Sequence, residues 1–323
     1  MFNFGRWYNQ NRGKFWSAIL IIFAIIFFVQ LVNYLYKQNT DNNTNQFNTS
    51  ATISDTINNN ISGKLESATS LVEGSNISSK NLEAQTSVID TFIKFCNDGD
   101  IEKAYDLLTD ECKEEIFPNL DSFRNKYYNS VFNTYKAYTI QNWFGSTYKI
   151  KFTEDALTTG KVSSNSVYMQ EYITPVVVGS DYKLNINNYV GKTTINTKTT
   201  VGGITINVLS KETYMDYSEY TVKISNMTEN TILLDNGEKT DTIYLLDQND
   251  IKEYANTGEI IYNNLILAPR ASKTYTFKFS NTYSNTRVME SLVFDNLILD
   301  YDKYNEAIED DSYSDFIRLV VNV

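Results

Sequence analysis

The chain has 323 residues, with 28 Lys and Arg against 39 Asp and Glu, a net charge of −11 and no histidine. Without histidine there is no His-based acid–base catalysis, no Ser-His-Asp or Cys-His nucleophile pair, and almost no zinc enzyme; Cys96 and Cys112, the only two cysteines, cannot by themselves form a structural zinc site. Four of the basic residues and none of the acidic ones fall in the first 37, so the rest carries −15, a balance that argues against nucleic-acid binding and against contact with anionic headgroups.

Residues 1–14 carry Arg6, Arg12 and Lys14 and no acid. The next 21, Phe15 to Leu35, contain no Asp, Glu, Lys or Arg. A helix of that length spans roughly 30 Å, the thickness of a bilayer core. The sequence therefore predicts a transmembrane helix over 15–36, with Trp16, Ile21, Phe27 and Val32 in the lipid and aromatic residues at both ends. The flanking charges put the N-terminus in the cytoplasm and the remaining chain outside. A cleaved signal peptide is the rival reading, but its apolar region is about 7–15 residues and ends in small side chains. Here the run ends in Asn33-Tyr34-Leu35-Tyr36. A buried core helix, the other alternative, seldom lacks a polar face over such a length.

Residues 37–85 are rich in Asn, Ser and Thr and read as a tether, with an end-to-end distance of roughly 40 Å as a coil. Ile53, Ile57, Ile61, Leu65, Ala68 and Val72 recur every three or four positions, the spacing of a short amphipathic helix. Asn58-Asn59-Asn60 and Gly63 oppose it, and the tether reading is preferred.

A folded unit is expected over 86–190. Val88, Ile89, Phe92, Ile93 and Cys96 form a helical stripe that Asn97-Asp98-Gly99 stops. Asp100, Thr109 or Asp110, and Asp121 are placed to start three further helices. Asp90 is expected beside a helix N-terminus, where its charge meets the dipole. From Tyr135 the period becomes two, with Tyr148, Ile150 and Phe152, then 165–178, then Tyr182, Leu184 and Ile186. Helices followed by antiparallel strands describe an α+β unit, helices on a curved sheet. Residues 191–203 are polar and read as a linker. Over 204–323 short alternating strands recur at the spacing of an all-β, immunoglobulin-like sandwich without its disulfide. Cys96 reads as a small buried thiol, with a disulfide to Cys112 as the alternative.

The segment FIKFCNDGDIEKAYDLLTDE, Phe92 to Glu111, joins a helix, an Asn-Asp-Gly-Asp break and an Ala-Tyr-x-Leu-Leu helix. It resembles the opening of nuclear-transport-factor-two-like domains, in which a cone of helices leans on a bent sheet. The resemblance covers roughly 86–190. Bacterial proteins with one N-terminal anchor and such a cone outside include conjugation and type IV secretion assembly factors, where the cone is a protein–protein scaffold. The resemblance thus implies a single-pass membrane protein of a bacterial cell envelope whose extracellular part binds other envelope proteins or itself. The second domain departs from family members that carry two cones. It is similar instead to immunoglobulin-like modules of bacterial surface proteins. The alternative is a ligand-sensing ectodomain with a small apolar molecule in the cone mouth.

No catalytic constellation, cofactor motif or metal motif is legible. Enzymes of the cone superfamily place acids and tyrosines in the mouth, where this chain offers Asp90, Tyr105, Tyr127, Tyr168 and Glu171. Tyrosine packing and a non-enzymatic role are the expectation. Glu306 to Asp315 is acidic but lacks the ligand spacing and central glycine of a calcium loop.

Overall fold

The computed structural model describes residues 62–74, 77–154, 169–235, 242–281, 283, 287–307 and 312–323. The 15–36 span lies outside them, as do Arg6, Arg12, Lys14, Trp16, Ile21, Phe27 and Val32. Among the described residues no helix is long and apolar enough to cross a membrane. The chain divides between Thr56 and Ile57, and every described residue belongs to the second unit. The structure is mostly β, 47% strand, with few helices.

The helical stripe becomes α1, Ser79–Asp98, whose inner side buries Leu82, Ile89, Phe92, Ile93 and Cys96. Gly99 ends it in the left-handed region, φ 80°, with its N–H on the Cys96 carbonyl. Three short helices follow: α2 (Ile101–Asp106), α3 (Asp110–Glu115) and α4 (Leu120–Phe123). The last runs through a π-helical turn, Arg124–Tyr128, into α5 (Asn129–Val131). Thr109 caps α3 as expected, its Oγ1 accepting from the Cys112 N–H at 2.9 Å. Two expected caps are replaced. Asp100 stands at the start of α2, but its carboxylate pairs with Lys103 at 2.7 Å. Asn119 caps α4 through Ser122 N–H, leaving Asp121 inside the first turn.

These helices cover a five-stranded sheet of β1 (Lys64–Ser67), β2 (Lys136–Phe144), β3 (Thr147–Glu154), β4 (Met169–Val178) and β5 (Asp181–Asn185), ordered as numbered. β1 is parallel to β2, and the other pairs are antiparallel. The register sets Ile140, Ile150 and Glu171 side by side across three strands. One carboxylate therefore lies in an otherwise apolar row.

Two further sheets form the second half. One has the order β13 (Ser272–Phe279), β8 (Ser218–Asn226), β7 (Ile204–Tyr214), β6 (Tyr189–Val201), all antiparallel. The other runs β11 (Lys252–Tyr254), β10 (Ile243–Asp247), β14 (Met289–Ile298), β9 (Ile232–Leu233), β12 (Ile266–Leu267), with β15 (Phe316–Asn322) also on β14. One core joins them: Ile206, Val222 and Phe277 of the first sheet with Leu245, Phe294 and Leu319 of the second. The alternate positions of the first sheet form polar rows, Thr200–Thr205–Ser225–Ser272 and then Lys198–Asn207–Lys223–Thr274. Among the described residues a short helix, α6 (Tyr301–Glu306), follows β14.

Two boundaries differ from the sequence reading. Residues 64–67, expected in the tether or in an amphipathic helix, are strand β1, and α1 begins seven residues before Thr86. Leu65 and Ala68 are buried, Leu65 beside Ile140 of β2, and Val72 is exposed. Residues 191–203, expected as a linker, lie mostly in β6. β6 is rich in Thr and Lys because much of it faces water, so it lacks an apolar alternation while keeping β-branched side chains that suit a strand.

Candidate functional site

Of the five mouth candidates, the structure joins Tyr127 and Glu171 and separates the rest; Tyr168 lies outside the described residues. The π-helical turn carries Tyr127 inward, and its hydroxyl donates to Glu171 Oε2 at 2.5 Å. Asn187 N–H donates to Glu171 Oε1 at 2.9 Å. Tyr127 is 2% exposed and Glu171 4%, so both are almost wholly withdrawn from solvent. Burial raises the Glu171 carboxyl to about 7, with the two donors pulling the other way. Burial and the Glu171 charge push the Tyr127 hydroxyl well up.

Rings fill the space around this pair. Phe123 stacks on Tyr127 at 5.5 Å, and Phe117 meets both edge-on at 5.5 and 5.8 Å. Phe92 and Phe132 close the sides at 6.2 Å from Tyr127. Cys96 and Cys112 are both free and buried there. Burial and the Glu171 charge raise the Cys96 thiol, and burial pushes Cys112 up to about 12. Such thiols are poor nucleophiles.

Asp90 lies in the middle of α1 because the helix starts eleven residues earlier, so it meets no helix N-terminus. Its carboxylate accepts from the Tyr138 hydroxyl and from Ser62 N–H, the latter at 2.6 Å. Gly63 sits on the Tyr138 ring so closely that a Cβ there would lie 2.1 Å from Cε2. Asp90, Tyr138 and Gly63 thus clasp the segment just ahead of β1. Tyr105 points elsewhere. Its hydroxyl donates to the Phe117 carbonyl at 2.9 Å, and its ring, under Lys113 Nζ at 4.9 Å, lines an open surface cleft of about 420 Å³ with Asp110, Glu114 and Pro118.

A second constellation, missed in the sequence, joins the two halves. Asn187 and Asn188, both with positive φ (59° and 64°), turn β5 into β6, and Asn188 accepts from Met215 N–H at 3.0 Å. Asn-Asn between alternating segments is a legible turn signal, since asparagine tolerates positive φ. Lys192 bridges Glu115 of α3 at 3.0 Å and Glu212 of β7 at 2.7 Å. Tyr189, Tyr214 and Tyr217 pack in series at 5.3 and 4.2 Å, and Phe144 meets Tyr283 at 4.7 Å. No local pattern marks these long-range partners.

Among the described residues no group of three or more Cys, Asp or Glu could hold a metal ion; positions 308–311 of the acidic loop lie outside them. No family model, no curated protein and no solved structure matches this chain.

Proposed function

We propose that this chain is a single-pass, membrane-anchored protein of a bacterial cell envelope, whose extracellular part is a rigid scaffold that binds other envelope proteins or further copies of itself. In this reading the helix-covered sheet is a nuclear-transport-factor-two-like cone, the paired sheets are an immunoglobulin-like sandwich, and 15–36 holds both at the bilayer. Conjugation or secretion machinery is the setting that the cone resemblance favours. The observation that carries the reading is the seam. β6 leaves the cone by a two-residue turn and runs on as a sandwich strand, while Lys192 ties α3 to β7. Two modules sewn in this way present surfaces at fixed separation, as a scaffold requires.

An enzyme is disfavoured because, among the described residues, the mouth candidates that meet as an acid–tyrosine pair, Tyr127 and Glu171, are buried, while Asp90 is taken up by Tyr138 and Ser62 N–H. The ligand-sensing alternative draws no support from an interior filled by Phe92, Phe117, Phe123 and Phe132. Crosslinking of the tagged full chain in whole cells, followed by gentle extraction, tests the scaffold. Recovery with other envelope proteins, or as an oligomer, is expected. A lone monomer would overturn it, as would an added protease that leaves the C-terminal part untouched in cells stripped of their wall.

A further inference from the structure

The buried pair described above has a physical consequence that the scaffold reading does not use. The groups facing the Glu171 carboxyl are the Tyr127 hydroxyl of the π-helical turn, the Asn187 N–H of the β5–β6 turn, and the thiols of Cys96 in α1 and Cys112 in α3. None is a cation. Ile150 occupies the neighbouring place on β3. An ionised carboxylate here has two donors and no counter-charge, in a space walled by rings. That is an expensive place for a charge. The neutral acid keeps both contacts at no such cost: Oε1 still accepts from Asn187, and the carboxyl O–H can donate to the Tyr127 oxygen.

The element over the carboxyl is short and irregular. Arg124–Tyr128 is a π-helical turn between α4, of four residues, and α5, of three. π-turns are rare, and they recur at functional sites. Strand β3, beside the carboxyl, is held by ladders on both sides, and β4 is paired with it at Glu171.

We propose that Glu171 is a proton-operated latch: its neutral carboxyl keeps the Arg124–Val131 segment closed over the ring cluster, and ionisation lets that segment swing open. The direction follows from linkage. Closed, the acid titrates near 7; open to water, it returns to about 4.5. Between those values the closed form holds one more proton. Each unit of rising pH therefore favours opening about tenfold, to about 300-fold in all, with little change above 7. Opening bares Phe92, Phe117 and Phe123, an apolar surface that the closed form hides.

Amide hydrogen exchange of the full chain in nanodiscs, expressed as protection factors at pH 5, 6, 7 and 8, tests this. Protection at Tyr127, Tyr128 and Val131 is expected to fall up to tenfold per unit between pH 5 and 7, while β8 amides hold theirs. In Glu171→Gln, which keeps an acceptor and a donor without the charge, the slope should vanish. Tyr127→Phe, which removes one donor to the carboxylate, should move the fall to higher pH. A flat wild-type profile, the same slope in Glu171→Gln, or equal losses in the segment and in β8 would each overturn the latch.

Discussion

In the helix-covered half, the interior is a cluster of rings around one carboxyl and two thiols, held by short helices whose ends depend on particular caps. In the paired-sheet half, the interior is a regular alternation, Ile204-Ile206-Val208 against Leu292 and Phe294, and strand repeats it after strand. The first half depends on singular contacts and the second on a repeated one. A single substitution should therefore reach further in the first half than in the second, unless the seam shares the damage between them.

The largest effect tests that sharing. Phe123→Ala removes the ring that touches Phe92, Tyr105, Phe117 and Tyr127. A loss of about 3–5 kcal/mol is expected. If the seam makes one cooperative body, denaturant melts monitored by fluorescence and by far-UV circular dichroism will still coincide. Two separated transitions would show that the halves unfold independently.

Next comes the charge. Glu171 has its folded acidity raised to about 7 against 4.5 in the unfolded chain, so the folded form binds the extra proton. Stability is greatest below pH 4.5 as far as this group is concerned, and falls by about 1.4 kcal/mol per unit as pH rises to 7. Glu171→Gln should accordingly raise stability at pH 8 by on the order of 3 kcal/mol and leave it little changed at pH 4.5. Urea denaturation at the two pH values measures both. Ile206, Val222 and Phe277 of the paired-sheet core carry no charge and cannot behave in this way.

The clasp comes third. Gly63→Val drives a side chain into the Tyr138 ring and should cost about 1–3 kcal/mol, with β1 amides losing hydrogen-exchange protection first. Smallest is Lys192→Ala. The lysine is partly exposed, so screening limits its worth to about 1 kcal/mol. Its diagnostic effect lies elsewhere: the denaturation transitions of the two halves should begin to separate.

Helix α1 and the strands with apolar alternation were legible because each repeats a burial pattern within a few residues: Ile89, Phe92, Ile93 and Cys96 on one side, Tyr148, Ile150 and Phe152 on another. What escaped was set by distant partners. β1 has one buried apolar residue, Leu65, and exists because β2 offers it an edge. β6 reads as a polar linker because, apart from Tyr189, its side chains are partly or fully exposed. Tyr127 and Glu171 could be named as candidates, but not joined, since only the β3–β4 register and a π-turn bring them together. The opposite error occurred at Asp90, where a helix start placed too late suggested a dipole contact in place of a clasp.

The hydroxyl and lysine rows on the outside of the β13–β8–β7–β6 sheet carry a consequence for traffic around the molecule. A partner that settled on Thr200, Thr205, Ser225 and Ser272 would have to strip water from side chains that gain little in exchange. That wall stays wet, and any contact made there would start at a disadvantage.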